Sequence, residues 1–256
     1  MPQSPRETLI EGLRRLADEA GRAIMAHYGK AEASRKADDS PVTVADQAAE
    51  AIILAGLAQL DPGTPVVAEE SVAKGESPER VGDRFWLVDP LDGTKEFLSQ
   101  NGEFTVNIAL VEHVVPTVGV VLAPALRTAY WSDGTAAWAS IQGGAPRAIR
   151  ARPGVPSALV AAVSRSHLDK DTLRYCAEHR VKETRAAGSS LKFGLVAAGE
   201  ADVYPRFGRT MEWDTAAGHA VLRAAGGSVC DLQGHELRYG KPGFANPSFI
   251  ARGRDA

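Results

Sequence analysis

Cysteine is nearly missing from this chain: Cys176 and Cys230 are the only two in 256 residues. Neither belongs to a CxxC pair or has a candidate His ligand beside it, so a disulfide framework and a zinc site are both unexpected. A reducing cytoplasm is the expected setting. Charge of one sign is also lacking. The 29 basic and 32 acidic residues leave a net −3, which argues against non-specific nucleic-acid binding as the main activity. It leaves room for a small anionic ligand held by a local basic cluster. No apolar run approaches the ~20 residues of a membrane span. Residues 1–9 are polar and contain proline, without the apolar centre of a secretory leader. Peripheral association with the inner face of the cell membrane stays open, although no basic amphipathic helix announces it. At 44% hydrophobic and 24% charged, the composition is that of an ordinary globular protein.

What is present is a helix-and-strand pattern with clear punctuation. Ser4-Pro5-Arg6-Glu7 has the form of a capping box with proline at the first helical position. Leu9, Leu13, Leu16, Ala20 and Ile24 then recur at helical spacing as far as Tyr28-Gly29. A polar loop is expected over residues 34–41. Thr43 with Asp46 marks a second cap, followed by the stripe Ala49, Ile52, Ile53, Leu57 and Leu60. Residues 66–68 form a short strand leading into Glu69-Glu70-Ser71, and a charged, Gly- and Pro-containing loop covers 73–83. Strands are expected at 85–88, 104–111, 115–122, 128–131 and 136–139. Asp133-Gly134 turns the last pair. Gly143-Gly144-Ala145-Pro146 and Pro153-Gly154-Val155-Pro156 are the linker candidates, with at most one short strand between them. Beyond them come a strand at 159–163, helices at 169–179 and 190–198, a strand at 202–204, and a helix at 215–225 closed by Gly226-Gly227. The mixture predicts α/β or α+β layers in two subdomains, residues 1–150 and 151–256.

The segment Trp86-Leu87-Val88-Asp89-Pro90-Leu91-Asp92-Gly93-Thr94 carries the most chemistry. An apolar strand is read as stopping at Asp89. Asp92 follows three residues later, and Thr94 opens a helix. Carboxylates at a strand end, beside a hydroxyl and a helix N-terminus, suit metal-assisted phosphoryl chemistry. Taken singly, the other acids have plainer readings. Asp46 serves as a first-turn acid, Asp214 as an N-cap, and Glu69-Glu70 as solvated loop. Taken together they form a hard oxygen donor set for Mg²⁺. Asp89 could bridge two ions, with Glu69 and Asp92 completing one each and Asp214 on the second. Leu91-Asp92-Gly93-Thr94 also resembles the motif of aspartyl-phosphate phosphatases, but Pro90 stands where their nucleophilic acid is needed. Direct attack by water is the expected chemistry.

Four separated stretches then give the chain a wider resemblance. Asp46 with Glu50, Ala68-Glu69-Glu70-Ser71, residues 86–94, and Trp213-Asp214 through Ala225-Gly226-Gly227 are similar, in this order, to the lithium-sensitive, Mg²⁺-dependent inositol monophosphatase superfamily. Lys95-Glu96-Phe97, residues 101–110, Gly188-Ser189-Ser190-Leu191-Lys192, Tyr204-Pro205-Arg206-Phe207-Gly208 and residues 213–220 resemble its branch of 3′(2′),5′-bisphosphate nucleotidases of the bacterial CysQ type. The resemblance implies a layered αβαβα fold and two to three Mg²⁺ ions. Glu69, Asp89 and the Leu91 carbonyl would hold the first, and Asp89, Asp92 and Asp214 the second. A weaker third ion would use Glu69 and water near Asp46. Thr94 would act with Glu69 or Asp46 on the attacking water, and the Gly93 and Thr94 N–H groups would meet the phosphate. Ala49 departs from the Thr or Ser common in the family, at a position that is not a ligand.

The narrower likeness also implies a second phosphate subsite. Ser189, Ser190, Lys192 and Arg206 would hold the 5′-phosphate and ribose of adenosine 3′,5′-bisphosphate, with His167 near the nucleoside. On residue types alone, Ser189 is equally a helix cap, and Lys192 and Arg206 equally solvated. The implied activity is release of phosphate from adenosine 3′,5′-bisphosphate, or from its sulfated relative, in sulfate assimilation. Inositol 1-phosphate, fructose 1,6-bisphosphate and histidinol phosphate are alternative substrates of the same metal site, and a phosphometabolite sensor without turnover is an alternative of another class. A homodimer is compatible with the chain, whose oligomeric state the sequence does not give.

Overall fold

A computed structural model describes residues 5–30, 34–35, 41–76, 78, 81–155 and 157–254. Helix α1 (Pro5–His27) buries Leu13, Leu16, Ala20 and Ile24, the stripe its spacing predicts. Ser4, read as its cap, lies outside the described residues, as does Pro156 of the second linker. Helix α2 (Val44–Leu60) opens on a capping box. The Thr43 hydroxyl accepts from Ala45 N at 3.1 Å, while Asp46 Oδ2 accepts from Thr43 N at 2.7 Å. Each bond satisfies a donor that the first turn leaves without an intrahelical partner. The loop expected over 34–41 is not all loop. Strands β1 (Ser34–Arg35) and β2 (Pro41–Val42) pair antiparallel there, and residues 36–40 lie outside the described set.

A seven-stranded sheet follows in chain order: β3 (Val66–Ala68), β4 (Arg84–Asp92), β5 (Thr105–Glu112), β6 (Val115–Ala123), β7 (Thr128–Ser132), β8 (Ala137–Ser140) and β9 (Arg147–Ile149). Only β3 and β4 run parallel; the other neighbours are antiparallel. Side chains alternate between the faces. Trp86, Val88, Ile108 and Val120 pack beneath α1 and α2. Phe85, Leu87, Ala109 and Val121 face the opposite way, toward α6 (Leu191–Ala197) and α7 (Glu212–Ala224). Gly119 permits this second layer, because a Cβ there would stand 2.6 Å from Ala217 O of α7.

Beyond α6 and α7 lies a five-stranded sheet in the order β11-β10-β12-β14-β13. Its strands are β10 (Val160–Ser164), β11 (Glu183–Ala187), β12 (Val203–Arg206), β13 (Ser228–Asp231) and β14 (Phe249–Arg252). Helix α5 (Lys170–Glu178) covers its far face, where Tyr175 and Cys176 pack on Ala161, Val163, Val203 and Ile250. The layers therefore alternate as αβαβα, the arrangement expected.

Several local expectations need correction. Strand β4 does not stop at Asp89 but runs on to Asp92, with an irregular register between the two acids. Glu69 and Glu70 are not loop: they open the short helix α3 (Glu69–Ala73). Helix α7 begins at Glu212 rather than Thr215, so Asp214 is its third residue and not its cap. Strands β11, β13 and β14 were not expected. Four of the five β11 residues are exposed, so its sequence shows no buried alternation to read.

Candidate active site

The acids meet where elements end. Glu69 opens α3 at the tip of β3, and Asp89 and Asp92 occupy the irregular end of the neighbouring β4. Gly93 then turns the chain with φ +89° into α4 (Thr94–Leu98). This left-handed conformation favours glycine, and a Cβ here would run into the Ser189 hydroxyl. Asp214 arrives from the other side of the sheet on the first turn of α7, where Asp214 Oδ2 accepts from Met211 N at 2.8 Å. Asp46 is fixed in the same way, as the third residue of its own helix. In both helices a bond from the cap residue's N–H to the third residue's carboxylate orients the acid before any ligand is considered.

Glu69, Asp89, Leu91, Asp92, Gly93, Thr94, Ser189, Ser190, Lys192, Arg206, His167 and Asp214 all line one open cavity of about 280 Å³. Asp46 does not line it. It is buried behind the wall, its Oδ1 3.5 Å from Thr94 Oγ1. Acids separated by more than a hundred residues therefore face a single space.

The electrostatics of that space call for cations. Burial, with Glu96 and Glu69 nearby and Lys192 opposing, pushes the Asp92 carboxyl up to about 6. Burial and then the charges of Asp92 and Glu69 raise Asp214 well above the usual carboxylate range. Asp89 is 1% exposed, and its Oδ1 accepts from Leu91 N at 3.0 Å. Buried like charges of this kind are costly unless a cation joins them. Every candidate ligand is oxygen, the donor type of hard ions such as Mg²⁺. Among the described residues no three His, Cys, Asp or Glu side chains already form a closed metal cage. Mg²⁺ does not need one, since it keeps several waters and is held by few carboxylates together with substrate phosphate.

The opposite wall has another character. Helix α6 is capped by Ser190, not Ser189, and without a side-chain cap bond. Ser189 sits at φ +48°, and its hydroxyl lies 2.8 Å from both Asp92 O and Glu103 O. The Ser190 hydroxyl lies 3.1 Å from Asp92 Oδ2 and 2.6 Å from Asp214 O, and accepts from Asn107 Nδ2 at 3.0 Å. Lys192 is not solvated: it is 3% exposed, and its ammonium donates to Ser189 O at 2.6 Å and Ala187 O at 3.2 Å. An ammonium has three protons; two are taken by these carbonyls, and Nζ also lies 5.2 Å from the centre of the Tyr204 ring. Burial lowers the ammonium pKa to about 8, against the raising effect of Asp92. Arg206 ends β12 with a buried Nε that has no hydrogen-bond partner among the described residues, an orphan donor suited to an anion. His167 is exposed and 3.3 Å from Lys95 Nζ; burial, then Arg206 and Lys95, lower its pKa and favour the neutral ring.

Three groups that lie within the quoted motifs, and to which the sequence reading gave no role, support the site. Glu50, buried in α2, accepts from Glu70 N and Ser71 Oγ, both at 2.8 Å, and so fixes the helix start that carries Glu69. Asn107 links Ser190 to Asp92, its amide 3.4 Å from Asp92 Oδ2. A lone amide within an apolar strand was the available signal. Glu103 takes Arg165 at 2.6 and 2.7 Å and Gly188 N at 2.7 Å, tying the Ser189 turn to the large sheet.

Comparison with known proteins gives the chain its family. The model of the inositol monophosphatase family matches residues 6–254. The 3′(2′),5′-bisphosphate nucleotidase CysQ of Salmonella typhimurium is 48% identical over 245 residues, covering 94% of this chain and 98% of that protein. Its counterpart from Escherichia coli K12 is 46% identical over the same length, with the same coverage. Among solved structures, CysQ from Bacteroides thetaiotaomicron superposes with a TM-score of 0.80 at 38% identity, covering 99% of this chain and 98% of that one. An inositol monophosphatase from Anabaena gives 0.76 at 26% identity, covering 97% and 91%. By sequence and by structure alike, the chain belongs to the inositol monophosphatase family.

Proposed function

We propose that the protein is a Mg²⁺-dependent 3′(2′),5′-bisphosphate nucleotidase that hydrolyses adenosine 3′,5′-bisphosphate to AMP and phosphate. The carrying observation is the single cavity with two unlike walls, carboxylates on one side and Lys192, Arg206 and serine hydroxyls on the other. A substrate with one phosphate needs only the first wall. A substrate with a second phosphate has a use for both, and the nucleotidases named above are close relatives over nearly the whole chain.

In this reading Glu69, Asp89, the Leu91 carbonyl, Asp92 and Asp214 hold two Mg²⁺ ions, with a weaker third at Glu69. Bound Mg²⁺ supplies a water of lowered pKa and neutralises charge developing on the phosphoryl oxygens. Thr94, with Asp46 behind its hydroxyl and Glu69 beside it, orients the water for in-line attack. The Gly93 and Thr94 N–H groups receive the phosphate oxygens at the start of α4. Water adds its oxygen to phosphorus as the P–O bond to the ribose breaks. The ribose oxygen leaves with a proton as a hydroxyl, and phosphate departs. Ser189, Ser190, Lys192 and Arg206 hold the 5′-phosphate, with His167 near the nucleoside. The sulfated nucleotide, whose 5′ group is also anionic, fits the same subsite.

Comparing phosphate release from adenosine 3′,5′-bisphosphate and inositol 1-phosphate tests the reading. Preference for the bisphosphate that Lys192→Ala abolishes supports it. Equal use of the two substrates by the wild type and equal losses in the variant would sink it in favour of a general sugar-phosphate phosphatase.

A further inference from the structure

Glu96 has no part in the functional assignment so far, yet no described residue donates to its carboxylate. It lies in α4 and lines the same cavity. It is 5% exposed. Its backbone carbonyl is occupied, by Ser99 Oγ and Asn101 N at 3.2 Å each. Its carboxylate accepts no hydrogen bond from any described residue, while its oxygens are not sealed off from the cavity space. Glu103, by contrast, is met by three donors. The residue is nineteen-twentieths buried, so its carboxylate can find a donor only from the cavity side. A ligand that brings one would meet it there.

The position of Glu96 narrows the ligand. A Cβ built on Gly93 would stand 3.1 Å from Glu96 Oε2, so this oxygen borders the turn assigned above to the reacting phosphate. Its charge acts on Asp92, Lys192 and His167, which places it between the metal wall and the nucleoside end. A second phosphate cannot sit against it, because like charges repel. A neutral hydroxyl can, as the donor of a charge-assisted bond. In a ribose esterified at one of its vicinal oxygens, the group adjoining the phosphate is the free hydroxyl on the next carbon.

We infer that Glu96 is a specificity residue that accepts a hydrogen bond from the free vicinal ribose hydroxyl beside the scissile phosphate. The inference rests on the nucleotidase reading and refines it. It also accounts for how one site tolerates a 3′- or a 2′-phosphate: the two oxygens exchange roles, and one of them always remains a hydroxyl for Glu96.

The test measures kcat/KM of the wild type, Glu96→Ala and Glu96→Gln on adenosine 3′,5′-bisphosphate and its 2′-deoxy analogue, each across a Mg²⁺ titration. A charge-assisted bond of this kind corresponds to a preference of about 10- to 100-fold for the ribonucleotide in the wild type. Glu96→Ala is expected to bring that ratio to within about threefold of unity. Glu96→Gln keeps the volume and a carbonyl acceptor, so part of the ratio should return. Comparison at saturating Mg²⁺ separates the ribose effect from any change in metal affinity, since the Glu96 charge also acts on Asp92. A wild type indifferent to the 2′-hydroxyl, or equal losses on both substrates in Glu96→Ala at saturating Mg²⁺, would each overturn the inference while leaving the nucleotidase reading intact. Absence of turnover on the ribonucleotide, with inositol 1-phosphate hydrolysed, would overturn both.

Discussion

The two walls of the cavity are built by different physics. The acidic wall is assembled from element boundaries. Glu69 opens α3, Asp89 and Asp92 end β4, and Asp214 is fixed in a first helical turn, its carboxylate bonded to Met211 N. The opposite wall is assembled from long-range contacts. Ser189 bonds the carbonyls of Asp92 and Glu103, and Lys192 is buried beneath the turn it braces. The first wall concentrates negative charge. The second offers single donors at fixed places. Chemistry should therefore fail when the first is damaged, and selectivity when the second is.

That contrast orders the predicted effects. Asp89→Asn should cost the most, lowering kcat by about 10³-fold or more, on the scale of losing a preorganised electrostatic group at the reacting centre. Phosphate-release assays with circular dichroism as a fold check would measure it, and near-normal turnover would remove Asp89 from its role. Lys192→Ala should raise KM for the bisphosphate about 10- to 100-fold, the scale of a lost charge-assisted hydrogen bond. KM for inositol 1-phosphate should change little. Equal changes would erase the distinction between the walls.

The pH dependence sharpens the same comparison. Burial holds the Lys192 ammonium at about 8, and only the protonated form attracts a phosphate. KM for the bisphosphate should thus rise as pH climbs through about 8 and stay flat well below it. A pH profile of KM measured in parallel on inositol 1-phosphate should lack that rise. If both substrates show it, the titration belongs to the shared wall.

The smallest expected effect lies away from the site. The β5–β6 turn puts His113 at φ +49° and Val114 at φ +65°, a conformation strained for a β-branched side chain. Val114→Gly should stabilise the fold by about 0.5–1 kcal/mol, strain relief exceeding the chain entropy glycine adds. Denaturant unfolding would read this, with kcat/KM unchanged. A loss of stability would show that the valine packs better than its backbone suggests.

The same contrast explains what was legible beforehand. Asp46 announces itself through Thr43 three residues earlier, and Asp89 through the apolar run it follows. These are local signals, and local signals are what a sequence displays. The start of α7 differs from the expected one because its cap residue, Met211, has no capping side chain to announce it. Glu212 is 0% exposed and is offset by Lys241, with Nζ 2.6 Å away, and by the N–H groups of Gly240 and Lys241 at 2.7 and 2.9 Å. Partners nearly thirty residues downstream leave no mark in a local window. Lys192 was opaque for another reason: its partners, the carbonyls of Ala187 and Ser189, are close in sequence, but every residue type has a carbonyl and none of them shows that the ammonium turns back onto it. Edge strand β11 hid for a third reason, since its exposed Glu183, Thr184 and Arg185 show no buried face.

The most direct test of the central claim is phosphate release from adenosine 3′,5′-bisphosphate and inositol 1-phosphate, each with and without Mg²⁺ and with added Li⁺. The account predicts rapid, Mg²⁺-dependent and Li⁺-inhibited release from the bisphosphate, with much slower release from inositol 1-phosphate. Metal-independent release, or a preference for inositol 1-phosphate, would contradict it.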